Sequence, residues 1–128
     1  MAEGPDKILA AQAWEAREQS RLIGETAVGC AVLADDGRTF VGCNVEHRFR
    51  SHDIHAEVNA LSSMVTGGGT RAVAVFIAAA REHFTPCGAC LDWIFELGGA
   101  DCEVWVQRDP AESPSRYSAQ ELMPHYPH

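Results

Sequence analysis

Nine consecutive apolar residues at positions 72–80, AVAVFIAAA, constrain the fold of this chain more than any other stretch. A short run rich in Val, Ile and Phe, with GGG before it and the polar loop REHFTP after it, predicts a strand buried on both faces. Such a strand must be covered from above and below, so helices are required on both sides of its sheet. Helical patterns lie at about 5–22, ending before Gly24, at about 54–65, stopped by Gly67 to Gly69, and at about 87–97, closed by Gly98-Gly99. A last short helix, SAQELM, precedes Pro124, after a polar loop RDPAESPSR. In AVGCAVLADDGRTFVGCNVE two β-rich runs flank Asp36-Gly37, the signal of an antiparallel hairpin, and CEVWVQ adds another strand. This order predicts an α/β fold, a mixed sheet between helical layers, in a single domain over residues 1–128.

Charge narrows the partners. The 128 residues carry a formal charge of −8, and no basic run gathers on one segment, which argues against a nucleic-acid polymer as ligand. The first residues carry acids where a secretion signal carries bases, and Ile8, Leu9, Trp14 and Leu22 are interspersed with charges, so neither a leader nor a membrane span is expected. A cytoplasmic protein with its five cysteines reduced is the expectation. Cys30, Cys43 and Cys102 lie in apolar runs and are expected to be buried small hydrophobes. Trp14, Trp93 and Trp105 are expected in the core.

Two motifs carry chemistry. HAEVNA places His55 two residues before Glu57 at the start of one helical segment, and TPCGAC places Cys87 and Cys90 at the start of another. Helix N-termini favour thiolates, and Cys87 and Cys90, at i and i+3, can pinch one ion. With His55 they offer zinc one nitrogen and two sulfurs, leaving a fourth tetrahedral position for water, the pattern of a catalytic site. Glu57 is better placed beside such a metal than on it, where its carboxylate can move a proton from the activated water to a substrate nitrogen. The competing readings are a redox pair, which leaves His55 and Glu57 without a role, and a structural zinc site, which lacks an evident fourth ligand.

The His-x-Glu and Pro-Cys-x-x-Cys pair is the signature of zinc nucleobase deaminases. Beyond it, the Val-Gly that opens the hairpin, its Asp-Gly turn, the closing Gly-x-Asn-Val-Glu, the ungapped spacing from Asn44 to His55, and ELMPHY near the C-terminus resemble the small single-domain cytidine deaminase family over nearly the whole chain. The resemblance implies a three-layer α/β/α cytidine deaminase-like fold with a mixed sheet of about five strands. It also implies a zinc cofactor on His55, Cys87 and Cys90, and hydrolytic deamination of cytidine or 2′-deoxycytidine. In that reaction Glu57 protonates N3 and then the leaving amine. Asn44 and Glu46 would hold ribose hydroxyls. Ala56 and the Thr85-Pro86 turn would orient the pyrimidine. Family members are commonly homotetramers, so the partners implied are a small cytosine nucleoside and further copies of the chain, as a homotetramer or homodimer, with Tyr126 covering the base in a neighbouring subunit.

Several positions depart from the family pattern. Thr26 stands where a stacking aromatic is frequent, His47 replaces an asparagine, Arg50 stands at a frequent tyrosine, and Leu91-Asp92 replaces Arg-Gln. Phe49 is a candidate for the missing stacking face. Val58 replaces an arginine that three-cysteine relatives use to offset charge, which a histidine ligand makes unnecessary. These departures keep open a deaminase of a cytosine-nucleoside antibiotic of the blasticidin S type, whose Asn-Val-x-His-Phe pattern NVEHRF also resembles, and a non-catalytic zinc- or nucleoside-binding protein of the same fold.

Overall fold

The computed structural model describes residues 5–126 of the chain. In order these form α1 (Pro5–Arg17), β1 (Val28–Ala34), β2 (Thr39–Cys43), a single 3-10 turn (Arg50–His52), α2 (Ala56–Thr66), β3 (Ala72–Ala79), α3 (Gly88–Gly98), β4 (Glu103–Gln107), β5 (Ser115–Ser118) and α4 (Ala119–Leu122). The strands make one sheet in the order β2-β1-β3-β4-β5. β1 is antiparallel to β2 and β3, β3 runs parallel to β4, and β5 is antiparallel to β4. The parallel pair needs a crossover, which α3 supplies.

The apolar run does what its composition requires. Successive side chains of β3 point to opposite faces. Ala74, Phe76 and Ala78 pack with Ala31 under Leu9 and Ala13 of α1. Val75, Ile77 and Ala79 face the opposite way, toward Ala60, Leu61 and Met64 of α2 and Ile94 and Phe95 of α3. Both helical layers approach so closely that glycine is demanded at the contact. A Cβ on Gly29 would lie 2.0 Å from the Ala13 carbonyl oxygen, and one on Gly42 would lie 2.5 Å from the Ala60 nitrogen.

Three expectations need correction. The first helix stops at Arg17 rather than near Leu22, because Arg21 pairs with the chain leaving β2: its N–H donates to the Asn44 carbonyl and its carbonyl accepts from Glu46 N–H. β5 falls at the end of the predicted polar loop. Its sequence, SRYS, has no apolar alternation, and it is recruited as an edge strand with Arg116 over the Trp105 ring and ion-paired to Glu103 at 3.2 Å. Trp93 is 49% exposed rather than in the core, because α3 buries Cys90, Leu91, Ile94, Phe95 and Gly98 and Trp93 projects from its other side. Trp14 and Trp105 do pack against the α1-side core, each partly buried.

Candidate active site

Strand register gathers the chemistry at one end of the sheet. Val28 pairs with Ala79, Gly29 with Cys43, and Ala78 with Gln107, so β1 begins where β2, β3 and β4 end. Loops leaving β2 and β3 at this end lead into α2 and α3. His55 is the residue before the first turn of α2, and Cys87 holds the same position on α3, both with extended backbone and neither using its side chain as a cap. Both side chains are therefore available to each other. His55 Nδ1 lies 3.3 Å from Cys90 Sγ and 3.4 Å from Cys87 Sγ, and the three donor atoms all fall within 4.8 Å of one another.

That spacing suits zinc. Tetrahedral bonds of about 2.3 Å to sulfur and 2.0–2.1 Å to nitrogen put a ligand nitrogen about 3.5 Å from a ligand sulfur, close to the separations found. His55 and Cys87 are exposed and Cys90 is buried, so the set is open on one side. Among the described residues no other group of three such side chains converges in this way. The surroundings of Cys90 act on its thiol while the cluster is without a cation. Burial pushes its thiol up, and the neighbouring Glu57 and Cys87 add to the effect. A divalent cation is the group that reverses this balance and deprotonates a coordinating thiol.

Glu57, in the first turn of α2, is 3% exposed. Burial raises its pKa, opposed by its own backbone N–H, by His55 and by a hydrogen bond with Cys90. A buried carboxyl with a raised pKa, beside a cluster able to hold a metal, is suited to exchange protons with a reacting group. Behind it, Cys30 on β1 is fully buried and its thiol is likewise pushed up by burial.

A cavity of about 400 Å³ opens over this cluster, lined by His55, Ala56, Glu57, Thr85 and Cys87 on one side and by Thr26, Asn44, Glu46, Arg50 and Asp53 on another. Pro86, next in the chain, is buried and does not line the cavity. Asn44 and Glu46 line the cavity but spend their polar atoms on the fold. Asn44 Oδ1 accepts from Val28 N–H at 2.9 Å and its Nδ2 donates to the Thr26 carbonyl at 2.7 Å. Glu46 Oε1 accepts from the N–H groups of Ile23 and Gly24, at 2.7 and 2.8 Å, and Oε2 from Arg50 at 2.9 Å. Two predicted residues lie elsewhere. Phe49 is 62% exposed and stacks on His47, so it supplies no face to the cavity. Tyr126 stacks on Phe95 of the same chain, ring centroids 4.1 Å apart, and donates its hydroxyl to Asp92. Sequence reasoning missed Asp53 and the loop from Arg81 to Phe84, which also line the cavity. The one available signal was position: that loop immediately precedes the cysteine motif.

Comparison with known proteins follows the same lines. Residues 5–106 match the cytidine and deoxycytidylate deaminase zinc-binding region. A cytidine deaminase of Sporosarcina psychrophila is 34% identical over 100 residues, covering 77% of this chain and 74% of that protein. One from Mycobacterium tuberculosis is 37% identical over 78 residues, 59% of this chain, and the match spans only 57% of that relative's length. The crystal structure of a cytidine deaminase from Burkholderia pseudomallei superposes with a TM-score of 0.84 at 30% identity, over 92% of this chain and 95% of that one.

Proposed function

Because this chain belongs to the cytidine deaminase family, we propose that it catalyses zinc-dependent hydrolytic deamination of a cytosine nucleoside, cytidine or 2′-deoxycytidine, to the uracil nucleoside and ammonia. The observation that carries this reading is the meeting of His55, Cys87 and Cys90 within 4.8 Å beside the buried Glu57 carboxyl. His55, Cys87 and Cys90 would hold zinc, which would supply Lewis acidity and lower the pKa of an activated water to about 7. The protein's own groups do the rest. Glu57 accepts a proton from the attacking water and delivers it to N3 of the ring, then carries the second proton to the departing amine as the C4–N4 bond breaks. Its burial supports the first transfer, because a desolvated carboxylate takes up a proton more readily than an exposed one. Ala56 and Thr85 line the cavity and are assigned, with the adjoining Pro86, to the pyrimidine, and Asn44 and Glu46 to the sugar end.

The reading takes residues 1–128 as one catalytic unit in the cytoplasm. Among the described residues no helix is long and apolar enough to cross a membrane. Assembly into a homotetramer or homodimer belongs to the same proposal. It is supported by the exposed Val65 and Trp93, 52% and 49% accessible, which line one groove between α2 and α3. In a tetramer, Tyr126 would have to leave Phe95 and Asp92 to cover a neighbour's site. A chain that sediments as a monomer at micromolar concentration would remove assembly from the reading.

The test is ammonia release by zinc-loaded protein with cytidine, 2′-deoxycytidine, cytosine and blasticidin S, each against Glu57→Gln. Turnover of the first two, reduced about a hundred- to ten-thousand-fold by the substitution with zinc retained, is expected. Turnover of blasticidin S alone would establish the antibiotic reading, which the non-aromatic Thr26 in the cavity favours. Silence on every substrate by the zinc-loaded protein would leave a binding protein of the same fold.

A further inference from the structure

The sugar end of the cavity raises a question of supply. Glu46, the residue that resemblance assigns to the ribose, is 7% exposed and already accepts three hydrogen bonds, two of them from the backbone N–H groups of Ile23 and Gly24. Turning that carboxylate toward a substrate would break those bonds. Arg50 is in the opposite position. Its side chain is 51% exposed and lines the cavity, its Nε donates to Asp53 Oδ2 at 2.8 Å, and its Nη2 donates to Glu46 Oε2 at 2.9 Å. A guanidinium has five N–H groups in a rigid plane. Two are spent here, and no other hydrogen bond to Arg50 side-chain nitrogens occurs among the described residues. The remaining donors are left for a ligand oxygen on a half-exposed side chain.

We propose that Arg50 is a specificity-determining residue, held in place by Glu46 and Asp53, whose free N–H groups donate to the hydroxyl oxygens of the substrate's sugar. Glu46 then acts as a positioning residue. Its carboxylate and that of Asp53 are 8% and 12% exposed, so the two anions fix the guanidinium from the protein side while its outer edge stays open. Asp53 is itself held, its Oδ1 accepting from the His47 N–H at 2.8 Å. The group of two carboxylates and one guanidinium carries a net charge of −1, and Arg81 and Glu82, which also line the cavity, have opposite signs. The sugar end therefore suits a neutral, hydroxyl-bearing sugar better than a phosphate ester.

This inference rests on the nucleoside reading above, and binding separates the two. Zinc-loaded Glu57→Gln, and the same protein with Arg50→Ala or Arg50→Lys added, would be titrated by calorimetry with cytidine, 2′,3′-dideoxycytidine and cytidine 5′-monophosphate. In the expected result Arg50→Ala weakens cytidine binding about tenfold or more, as loss of a charged donor does, and weakens 2′,3′-dideoxycytidine less than about twofold. Arg50→Lys, which keeps the charge but not the fork, falls between. The nucleotide binds more weakly than cytidine. In the Glu57 background, Arg50→Ala raises KM for cytidine with kcat within about twofold. Equal loss for cytidine and the dideoxynucleoside, or no loss for either, would mean that Arg50 only shapes its loop and would overturn the assignment, as would failure of cytidine to bind. Binding with the expected pattern but no turnover by the wild-type chain would retire the deaminase reading and leave Arg50 in its role.

Discussion

His55 and Glu57 stand two positions apart and do different work because a helix begins between them. His55 lies just outside α2, so its ring is free to reach the thiols, whereas Glu57 is inside the first turn and points into the protein. The ligand assignment is testable one residue at a time. His55→Ala and Cys87→Ala are each expected to lower bound zinc from about one ion per chain to a small fraction after dialysis, because two donors do not make a tetrahedral site. Elemental analysis reads this directly. Cys30→Ala, which removes a buried thiol outside the converging set, is expected to keep its zinc. Equal loss in Cys30→Ala would move the site deeper into the sheet.

At the scale of elements, the cavity depends on braces that secondary structure does not provide. Glu46 ties the segment before β1 to the chain after β2 through the N–H groups of Gly24 and Ile23, which, with Arg50, hold its carboxyl below the ordinary range. A folded-state pKa below the unfolded one contributes stability that is complete above the ordinary glutamate value of 4.5 and is lost as pH falls through the lower folded value. Protection against hydrogen exchange at Ile23 and Gly24, taken relative to the intrinsic rate at each pH, is therefore expected to fall in that acid window, and Glu46→Gln to lower it at neutral pH. Unchanged protection in both cases would show that the carboxylate is not the brace. The contact of α1 with β1 has its own test. A Cβ at Gly29 would meet the Ala13 carbonyl oxygen at 2.0 Å and the Arg17 nitrogen at 2.6 Å. Backbone cannot yield as a side chain can, so Gly29→Ala is expected to cost about 3 kcal/mol or more, measured by denaturant unfolding.

For the whole molecule, zinc held by the three donors would join two helices that are otherwise linked through packing, since His55 precedes α2 and the thiols stand at the start of α3. Metal that binds only the folded chain adds to its stability. Chelation is expected to lower the melting temperature by roughly 10 °C, with recovery on adding zinc, and an unchanged melting curve after complete zinc removal would break that link. Much of this architecture was legible beforehand. The run at 72–80 demanded two covering layers, Asp36-Gly37 marked the hairpin, and the motif spacing named His55, Glu57, Cys87 and Cys90, because periodicity, turn chemistry and ligand type are local properties. The polar edge strand β5, the early end of α1 and the exposure of Trp93 were not legible, since each depends on which surface arrives from elsewhere in the chain. The same division runs through the site. Residue identity by itself determined what chemistry the four metal-side groups could do. Only the tertiary structure decided that Asn44 spends its amide on backbone, that Glu46 spends its carboxylate on backbone and Arg50, and that Arg50 lines the cavity with donors to spare. A side chain's type sets how many hydrogen bonds it can make, but the folded surroundings determine how many are left for a ligand.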